Sequence, residues 1–105
     1  VTGASSGIGE EIAKKLSNQG IKVIGTSTNI NGVKKINNYL KNKGFGFILD
    51  LKDSNSITKK IKNLYNNNYS IDILINNAAI KIDKLFIKMN NQDWEDTLKV
   101  NLNSI

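Results

Sequence analysis

Val1-Thr2-Gly3-Ala4-Ser5-Ser6-Gly7-Ile8-Gly9 is the stretch that decides the fold, because it has the form of a glycine-rich turn between a strand and a helix. Gly3 lets the chain turn sharply at the carboxyl end of a strand. Gly7 and Gly9 lack the side chains that would block a pyrophosphate or hold the helix away from the strand. N–H groups at the start of the helix from Ile8 then face the phosphates, helped by the helix dipole. We predict a phosphate-binding turn, with a tight turn that binds no ligand as the alternative.

Strand and helix patterns alternate along the rest of the sequence. Short runs rich in β-branched and aromatic residues predict strands, and apolar residues at helical spacing predict the helices between them. The predicted strands after the turn are 21–28, 45–49 and 71–75. Such alternation is typical of a parallel sheet with right-handed crossovers. The predicted fold class is α/β, a partial doubly wound parallel sheet of Rossmann type, in strand order 3-2-1-4 with flanking helices.

The ends of the sequence bear on how much of a domain is present. Only Val1 precedes the turn, whereas a strand needs about five residues. We interpret 1–105 as the nucleotide-binding part of a single Rossmann-type domain that is truncated at both ends. In the order 3-2-1-4, strand 71–75 lies at an uncovered edge, and an exposed apolar edge promotes aggregation. We therefore expect 1–105 alone to be poorly soluble or partly molten.

Charge and composition argue against several kinds of partner. The net charge is +6, but all 15 basic residues are lysines, whereas arginine is the usual reader of bases and phosphates. We attribute the lysines to codon composition and expect no nucleic-acid partner. No apolar run approaches the roughly 18 residues of a membrane span, so we expect no membrane partner. Without cysteine or histidine the chain offers no disulfide, zinc site or histidine base, which suits a cytoplasmic protein without a metal.

Small or polar residues follow all four predicted strands, where ligands of such sheets bind. They are the glycine turn, Thr26–Thr28, Asp50–Leu51 and Asn76–Ala79. NAD binders usually have a carboxylate after the second strand. This chain has hydroxyl groups there, followed by Lys34 and Lys35, and these can bind a 2′-phosphate instead of repelling it. NADP(H) is therefore favoured over NAD, with threonines that serve only as strand formers as the alternative.

One amide stands out in the last predicted helix, which begins near Asn90. Asn101 is expected on the apolar side of this helix, with Trp94 and Leu98. An unpaired amide there would cost on the order of 1–3 kcal/mol. We therefore expect Asn101 to bond to backbone or water.

Taken together, these stretches resemble the motifs of the short-chain dehydrogenase/reductase family. The matches, in family order and approximate spacing, are Thr2–Gly9, Asp50-Leu51, Asn76-Asn77-Ala78 and Asn101. The resemblance spans the whole chain, which would be somewhat under half of a typical member. Within the family the chain is most similar to bacterial 3-oxoacyl-[acyl-carrier-protein] reductases. The stretches that carry this closer likeness are Val23–Thr28, Asn31-Gly32, Asp83–Met89, Trp94–Asp96 and Val100–Leu102.

The resemblance implies an activity. It implies NADPH-dependent reduction of 3-oxoacyl groups on acyl carrier protein, in fatty-acid biosynthesis, by a cytoplasmic homotetramer. The alternatives are a short-chain reductase of another alcohol, sugar or ketone, or a catalytically inert nucleotide-binding module. The family's serine, tyrosine and lysine would lie beyond Ile105, so 1–105 alone is expected to reduce no ketone. Tyr39 and Lys43 share the family's Tyr-x-x-x-Lys spacing but lie in another helix, where Tyr39 is expected to be an exposed side chain.

The resemblance also implies site residues. The implied cofactor-binding residues are Gly3, Ala4, Ser5, Ser6, Gly7, Ile8, Gly9, Thr28, Asp50, Leu51, Asn77 and Ala78. The serines and Thr28 would contact the adenosine ribose and its 2′-phosphate, Asp50 and Leu51 the adenine, and Asn77 and Ala78 the ribose. Asn101 is implied as the catalytic asparagine, which holds a backbone kink and a water of the proton relay.

Three further positions carry expectations from the same resemblance. Asn76 would tie the fourth strand to its neighbour. Ser6 stands where related sequences often have an arginine, which removes one cation from the 2′-phosphate site. Ala79 replaces the usual glycine, and it would cost about 1 kcal/mol if this position needs a positive φ.

Overall fold

The computed structural model describes all residues from Val1 to Ile105. It contains two strands and four α-helices, and strands and helices alternate from residue 7 to residue 66. The strands are β1 (Val23–Ser27) and β2 (Gly44–Ile48), and the helices are α1 (Gly7–Asn18), α2 (Ile30–Leu40), α3 (Ser54–Asn66) and α4 (Asn91–Asn101). Two single 3-10 turns lie at Lys41–Lys43 and Phe86–Lys88. The four predicted helices and the second and third predicted strands are confirmed.

The sheet is parallel, as predicted for an α/β fold. Strands β1 and β2 pair in register from Val23 opposite Gly44 to Ser27 opposite Ile48, with α2 as the crossover between them. A Cβ at Gly44 would lie 1.9 Å from the Val23 carbonyl oxygen, so only glycine lets the two strands begin their pairing here.

The first residues of the chain lie along the other edge of β1. The Val1 ammonium group donates to the Ile24 carbonyl at 2.8 Å, and the Thr26 N–H donates to the Val1 carbonyl at 3.1 Å. On its other side, the Thr2 N–H donates to the Ile75 carbonyl at 3.0 Å. The backbone therefore follows the predicted order 3-2-1-4, counted with Val1–Ala4 as the first member.

The prediction of a regular fourth strand is wrong. Residues 71–75 run beside Val1–Ala4 without forming a strand, and the sheet has two strands. Only the N–H and hydroxyl of Thr2 donate to this segment, both to the Ile75 carbonyl, so no repeating ladder of hydrogen bonds develops. Two large apolar side chains of the segment, Ile73 and Leu74, are 73% and 62% exposed.

The core lies between the sheet and the helices α1 and α2. It consists of Ala4, Ala13, Val23, Ile36 and Leu40. A Cβ at either Gly25 or Gly46 would come within about 3 Å of Ile36 side-chain carbons, so these glycines let α2 pack close to the sheet. On the opposite face, α3 leaves an apolar groove of about 390 Å³ beside β1 and the 71–75 segment.

The helix N-termini follow the capping rules in every helix except one. Three N-caps accept a backbone N–H on a side-chain oxygen: Asn29 on α2, Asp53 on α3 and Asn90 on α4. Asn90 and Asp93 form a capping box at the start of α4. The exception is α1, whose N-cap Ser6 makes no side-chain cap bond. The longest helix has 13 residues, and none combines the length and hydropathy needed to cross a membrane.

Candidate functional site

The uncapped end of α1 is an array of free hydrogen-bond donors. The N–H groups of Ser5, Ser6, Gly7, Ile8 and Gly9 donate to no acceptor within the protein. The first protein-bonded amide of the helix is that of Glu10, which donates to the Ser6 carbonyl at 3.3 Å. Consecutive free amides at the positive end of a helix dipole form a binding site for an anion such as a phosphate.

Thr2 joins the turn to the loop that follows the 71–75 segment. Its hydroxyl accepts from the N–H groups of Asn77 and Ala78, each at 2.9 Å, and donates to the Ile75 carbonyl at 3.4 Å. The Asn77 side chain also bonds to the turn. Its Nδ2 donates to the Thr2 carbonyl at 2.9 Å and more weakly to the Gly3 carbonyl. The prediction that Asn76 ties these segments is therefore wrong, because Asn76 is exposed and its neighbour Asn77 makes the bonds.

The three glycines of the turn do different work. Gly3 has φ +65°, and a Cβ on it would lie 3.0 Å from the Ala78 Cα. A Cβ at Gly9 would lie 2.4 Å from both Asn77 Nδ2 and the Gly3 carbonyl oxygen. Gly7 has φ +55° and open space where a Cβ would be. Thus Gly9 makes room for protein atoms, and only Gly7 faces the open side of the turn.

Three hydrogen bonds from β1 and α2 fix the start of the turn. The Ala4 N–H donates to the Thr26 carbonyl at 2.9 Å, and the Gly3 N–H donates to the Thr26 hydroxyl at 3.2 Å. The Ala4 carbonyl accepts from the Tyr39 hydroxyl at 2.7 Å. The expectation of an exposed Tyr39 is therefore wrong. Tyr39 lies three residues after Ile36, at the margin of the buried face of α2, and burial raises its pKa to about 12.

The second strand end is crowded by α2. A Cβ at Gly32 would lie 2.0 Å from Ser27 Oγ and 2.9 Å from the Ser5 Cβ, so the start of α2 packs directly on the turn. Thr28 follows β1 and is exposed. Lys35 is occupied by an ion pair with Glu10 at 2.7 Å, whereas the exposed Lys34 makes no ion pair. Of these two lysines, Lys34 is therefore the one whose charge is free to pair with a bound anion.

The third strand end leads into an Asx turn. One carboxylate oxygen of Asp50 accepts from the Lys52 N–H at 2.9 Å, and the rest of this exposed side chain is free. Leu51 lines the apolar groove beside α3. The Lys52 ammonium pairs with Asp96 on α4, and this bond lowers the Asp96 pKa. The loop after β2 is thus joined to the last helix.

The side-chain amide of Asn101 makes two hydrogen bonds with the backbone. Such bonds were predicted because an unpaired amide would cost free energy. Its Oδ1 accepts from the Ile80 N–H at 2.9 Å, and its Nδ2 donates to the Ile80 carbonyl at 3.0 Å. The expected apolar surroundings are wrong, since Asn101 is exposed and Trp94 on the same helix is 57% exposed. Ala79 has no positive φ, so the predicted strain at this position does not arise.

Comparisons with known proteins show the family of this chain. Residues 1–105 match the family described as short chain dehydrogenase. The chain belongs to the short-chain dehydrogenase family. The resemblance predicted from the motifs is confirmed, and so is the fold class.

Several relatives of this short-chain dehydrogenase are known. It is similar to the 3-oxoacyl-[acyl-carrier-protein] reductases FabG of Buchnera aphidicola subsp. Schizaphis graminum and subsp. Acyrthosiphon pisum, with 60% and 56% identity. The corresponding protein of Escherichia coli K12 is 42% identical. Each match covers 100% of this chain but 43% of the relative, so the chain spans less than half the length of these proteins.

A crystal structure of a short-chain dehydrogenase from Streptomyces avermitilis has the same fold. It matches with a TM-score of 0.87 at 25% identity, over 99% of this chain and 38% of that one. The family is one of oxidoreductases.

The sequence-predicted site residues of this short-chain dehydrogenase fall into two groups. The turn, Asn77 and Ala78 contact one another directly, and Asn101 reaches the same loop at Ile80. Thr28 and Asp50 follow neighbouring strands at the same edge of the sheet without a direct bond to the turn. The sequence placed Thr2 and Thr26 in its motifs without predicting the bonds that they make, and it did not predict Tyr39 as a support of the site. The sequence signal that could have identified Tyr39 is its position at the edge of the apolar face of a helix.

Proposed function

We propose that this protein is an NADPH-dependent reductase of 3-oxoacyl groups carried on acyl carrier protein. The observation that carries the proposal is the uncapped start of α1, with free amides from Ser5 to Gly9 in a glycine turn that the other loops surround. The relatives that share 55% to 60% of its residues are named as reductases of this kind. In this proposal, 1–105 supplies the nucleotide-binding part of one Rossmann-type domain.

The donors and charges around the turn fit NADP(H). The amides from Ser5 to Gly9, with the open space at Gly7, suit the pyrophosphate. Exposed Thr28 and the unpaired Lys34 suit a 2′-phosphate, since Glu10, the acidic residue of the turn region, is neutralised by two lysines. The bound cofactor would supply the hydride for the reduction.

The remaining proposed contacts follow from atoms left without a partner. Asn77 uses Nδ2 on the turn, so its Oδ1 is free to accept from a ribose hydroxyl. The exposed carboxylate of Asp50 and the side chain of Leu51 would border the adenine, and Ile8, 74% exposed, would face the nicotinamide side. Gly3, Ala4, Gly9 and Ala78 would shape the backbone beneath these groups.

Asn101 is the proposed catalytic residue of this segment. Both ends of its amide hold the Ile80 peptide units, which fixes the path of the loop two residues beyond Ala78. We propose that these two hydrogen bonds hold the backbone kink that the resemblance implies. Asn101 would thereby help to order a water at the reacting end of the cofactor.

The proposed partners follow from charge and from the relatives. A net charge of +6 would steer an acidic carrier protein towards this surface. We propose a cytoplasmic homotetramer in which α4, with its exposed Trp94, forms part of the contact between subunits. No nucleic-acid or membrane partner is proposed.

The test is an absorbance assay of cofactor oxidation by the full-length protein. With an acetoacetyl thioester, we expect turnover with NADPH at least about tenfold faster than with NADH, because one charged hydrogen bond to the 2′-phosphate supplies that discrimination. Turnover only with sugars, steroids or simple alcohols would indicate another short-chain reductase. Cofactor binding without any turnover would indicate an inert nucleotide-binding module.

A matched pair of variants tests the proposed catalytic residue. Asn101→Ala should lower kcat by about 10²-fold or more, as loss of a group that orders a proton relay does. Asn103→Ala removes an exposed amide without a side-chain bond in the same region and should leave kcat unchanged. Equal activity of the two variants would overturn the assignment.

A further inference from the structure

Tyr39 is a partly buried residue whose hydroxyl is a donor that the proposed chemistry does not use. Its ring packs against the core of Ala4, Ile36 and Leu40, and its hydroxyl donates to the Ala4 carbonyl at 2.7 Å. This bond joins two elements that lie 35 residues apart in sequence. Ala4 itself is fully buried and belongs to the glycine turn.

The bond fixes the orientation of one peptide group in the turn. The Ala4 carbonyl and the Ser5 N–H belong to the same peptide unit, and all peptide bonds of the chain are trans. In a planar trans peptide the C=O and the N–H point in opposite directions. Since the carbonyl is held towards α2, the Ser5 N–H is held away from α2. Ser5 is the first of the five free amides of the turn.

The preceding peptide group is fixed as well. The Ala4 N–H donates to the Thr26 carbonyl at 2.9 Å, so both polar groups of Ala4 have partners. Without the Tyr39 hydroxyl, the Ala4 carbonyl would be a buried acceptor with no partner, and rotation of the Ala4–Ser5 peptide would be its way to reach water. Such a rotation would turn the Ser5 N–H out of line with the next four amides.

The surroundings keep Tyr39 in its role as a donor. Lys14 lies 5.6 Å from the ring centre, and Glu10 pairs with both Lys14 and Lys35 at 2.7 Å. Burial and the Glu10 charge raise the pKa of the hydroxyl to about 12, so it stays protonated at neutral pH. The ring is therefore held between α1 and α2 with its proton on the turn.

We infer that Tyr39 is a positioning residue for cofactor binding, which aligns the free amides of the glycine turn with the pyrophosphate through its bond to the Ala4 carbonyl. The inference rests on the proposed binding of NADP(H). It assigns to α2 a part in recognising the pyrophosphate, although no residue of α2 lies in the turn. It predicts that loss of one hydroxyl, without loss of the ring, weakens binding only of ligands that have the pyrophosphate.

The test compares Tyr39→Phe with Tyr65→Phe in the full-length protein. Tyr65 is 55% exposed on α3 and its hydroxyl has no partner, so its variant controls for the loss of a tyrosine hydroxyl. The dissociation constants of NADP⁺ and of adenosine 2′-monophosphate are measured for both variants by calorimetry or by NMR titration. Adenosine 2′-monophosphate has the adenine and the 2′-phosphate but no pyrophosphate.

Tyr39→Phe should weaken NADP⁺ binding by about three- to tenfold, the change expected for one neutral hydrogen bond, and leave binding of the monophosphate unchanged. The KM for NADPH should rise by the same factor while kcat stays within about twofold. Equal weakening of both ligands, or no weakening of either, would overturn the inference. Failure of the unaltered protein to bind NADP⁺ would instead refute the proposed function.

Discussion

At the scale of single residues, the Thr2 hydroxyl is fully used. It accepts from the amides of Asn77 and Ala78 and donates to the Ile75 carbonyl, which is the whole bonding capacity of a hydroxyl group. Thr2 is 8% exposed, so water cannot easily replace these bonds. The relative positions of the turn and the loop after Ile75 therefore depend on one side chain.

Replacing this hydroxyl by a methyl group tests that dependence. Thr2→Val should lower the free energy of unfolding by about 1–3 kcal/mol, because two partly buried amides lose their acceptor while the volume stays the same. Thr58→Val is the matched control, since the Thr58 hydroxyl bonds only to the Ser54 carbonyl on the exposed side of α3. Urea unfolding of the full-length protein measures both. A loss no larger than that of the control would show that the hydroxyl is dispensable.

The roles of residues with distant partners, such as Thr2, could not be predicted from the sequence. The glycine turn and Asn77 could be predicted because they form a local pattern with a known ligand geometry. The partners of Thr2 lie 73 to 76 residues away, and only the folded chain brings them together. The same separation explains the error at Asn76, because two adjacent asparagines are equivalent until the backbone decides which of them faces the turn.

At the scale of elements, α1 differs from the other helices in its first turn. Side chains cap α2, α3 and α4, whereas Ser6 leaves the first amides of α1 open. The positions of the helices, including the start of α4 near Asn90, were predictable from local spacing. The edge segment 71–75 was not, because a strand is defined by its neighbour, and Val1–Ala4 supplies one backbone donor to it.

A side-chain cap added to α1 should stabilise the fold and weaken cofactor binding. Ser6→Asp should raise the free energy of unfolding by about 0.5–1 kcal/mol, because a carboxylate can accept from the free amides and favours the positive end of the helix. The same charge should repel phosphates and weaken NADP⁺ binding by about tenfold or more. Thermal unfolding and calorimetric titration measure the two effects.

The control for this variant is Ser54→Asp, which adds the same charge to the first turn of α3. It should leave NADP⁺ binding unchanged, since Asp53 already caps that helix. If Ser6→Asp bound the cofactor as well as the unaltered protein does, the start of α1 would not be the phosphate site.

Helices α1 and α2 are joined by an acid-sensitive ion pair. Hydrogen bonds from Lys14 and Lys35 lower the Glu10 pKa below its ordinary value of 4.5. A carboxyl group with a lowered pKa stabilises the fold above its ordinary pKa, and this contribution is lost as the pH falls through the lowered value. Glu10→Gln should therefore reduce stability near pH 7, and should reduce it by less at about pH 3.

Urea unfolding at the two pH values checks this expectation. Glu11→Gln is the control, because Glu11 is 75% exposed and contacts only Lys14. The difference between the Glu10 and Glu11 variants should shrink on acidification. A difference that is the same at both pH values would show that the ion pair with α2 does not stabilise the protein.

At the scale of the whole molecule, the most exposed large apolar side chains lie outside the turn. Ile73, Phe86 and Ile87 are 73%, 89% and 91% exposed, whereas the core around Ile36 is fully buried. The well-packed half of the molecule consists of α1, α2 and the two strands. The other half, with α3 and α4, has one buried residue in each helix, Leu64 and Val100.

This distribution predicts how the polypeptide 1–105 behaves on its own. We expect light scattering to detect association at micromolar concentration, because exposed apolar residues lie on an extended segment with unpaired backbone groups. Ile73→Lys should reduce the association by adding charge to that segment. A monomeric polypeptide with a sharp two-state thermal transition would contradict the prediction.

The contact at Gly9 has a consequence for how homologous sequences are compared. Its missing Cβ makes room for main-chain and amide atoms of the protein, including the Gly3 carbonyl oxygen at 2.4 Å. Because the Gly3 carbonyl is a main-chain group, no side-chain substitution elsewhere can make room for a Cβ at Gly9. Homologues that have lost all affinity for nucleotides should therefore still retain glycine at this position. Gly7 faces open space, and its loss during evolution would be the earlier sign of a degenerate, inactive copy.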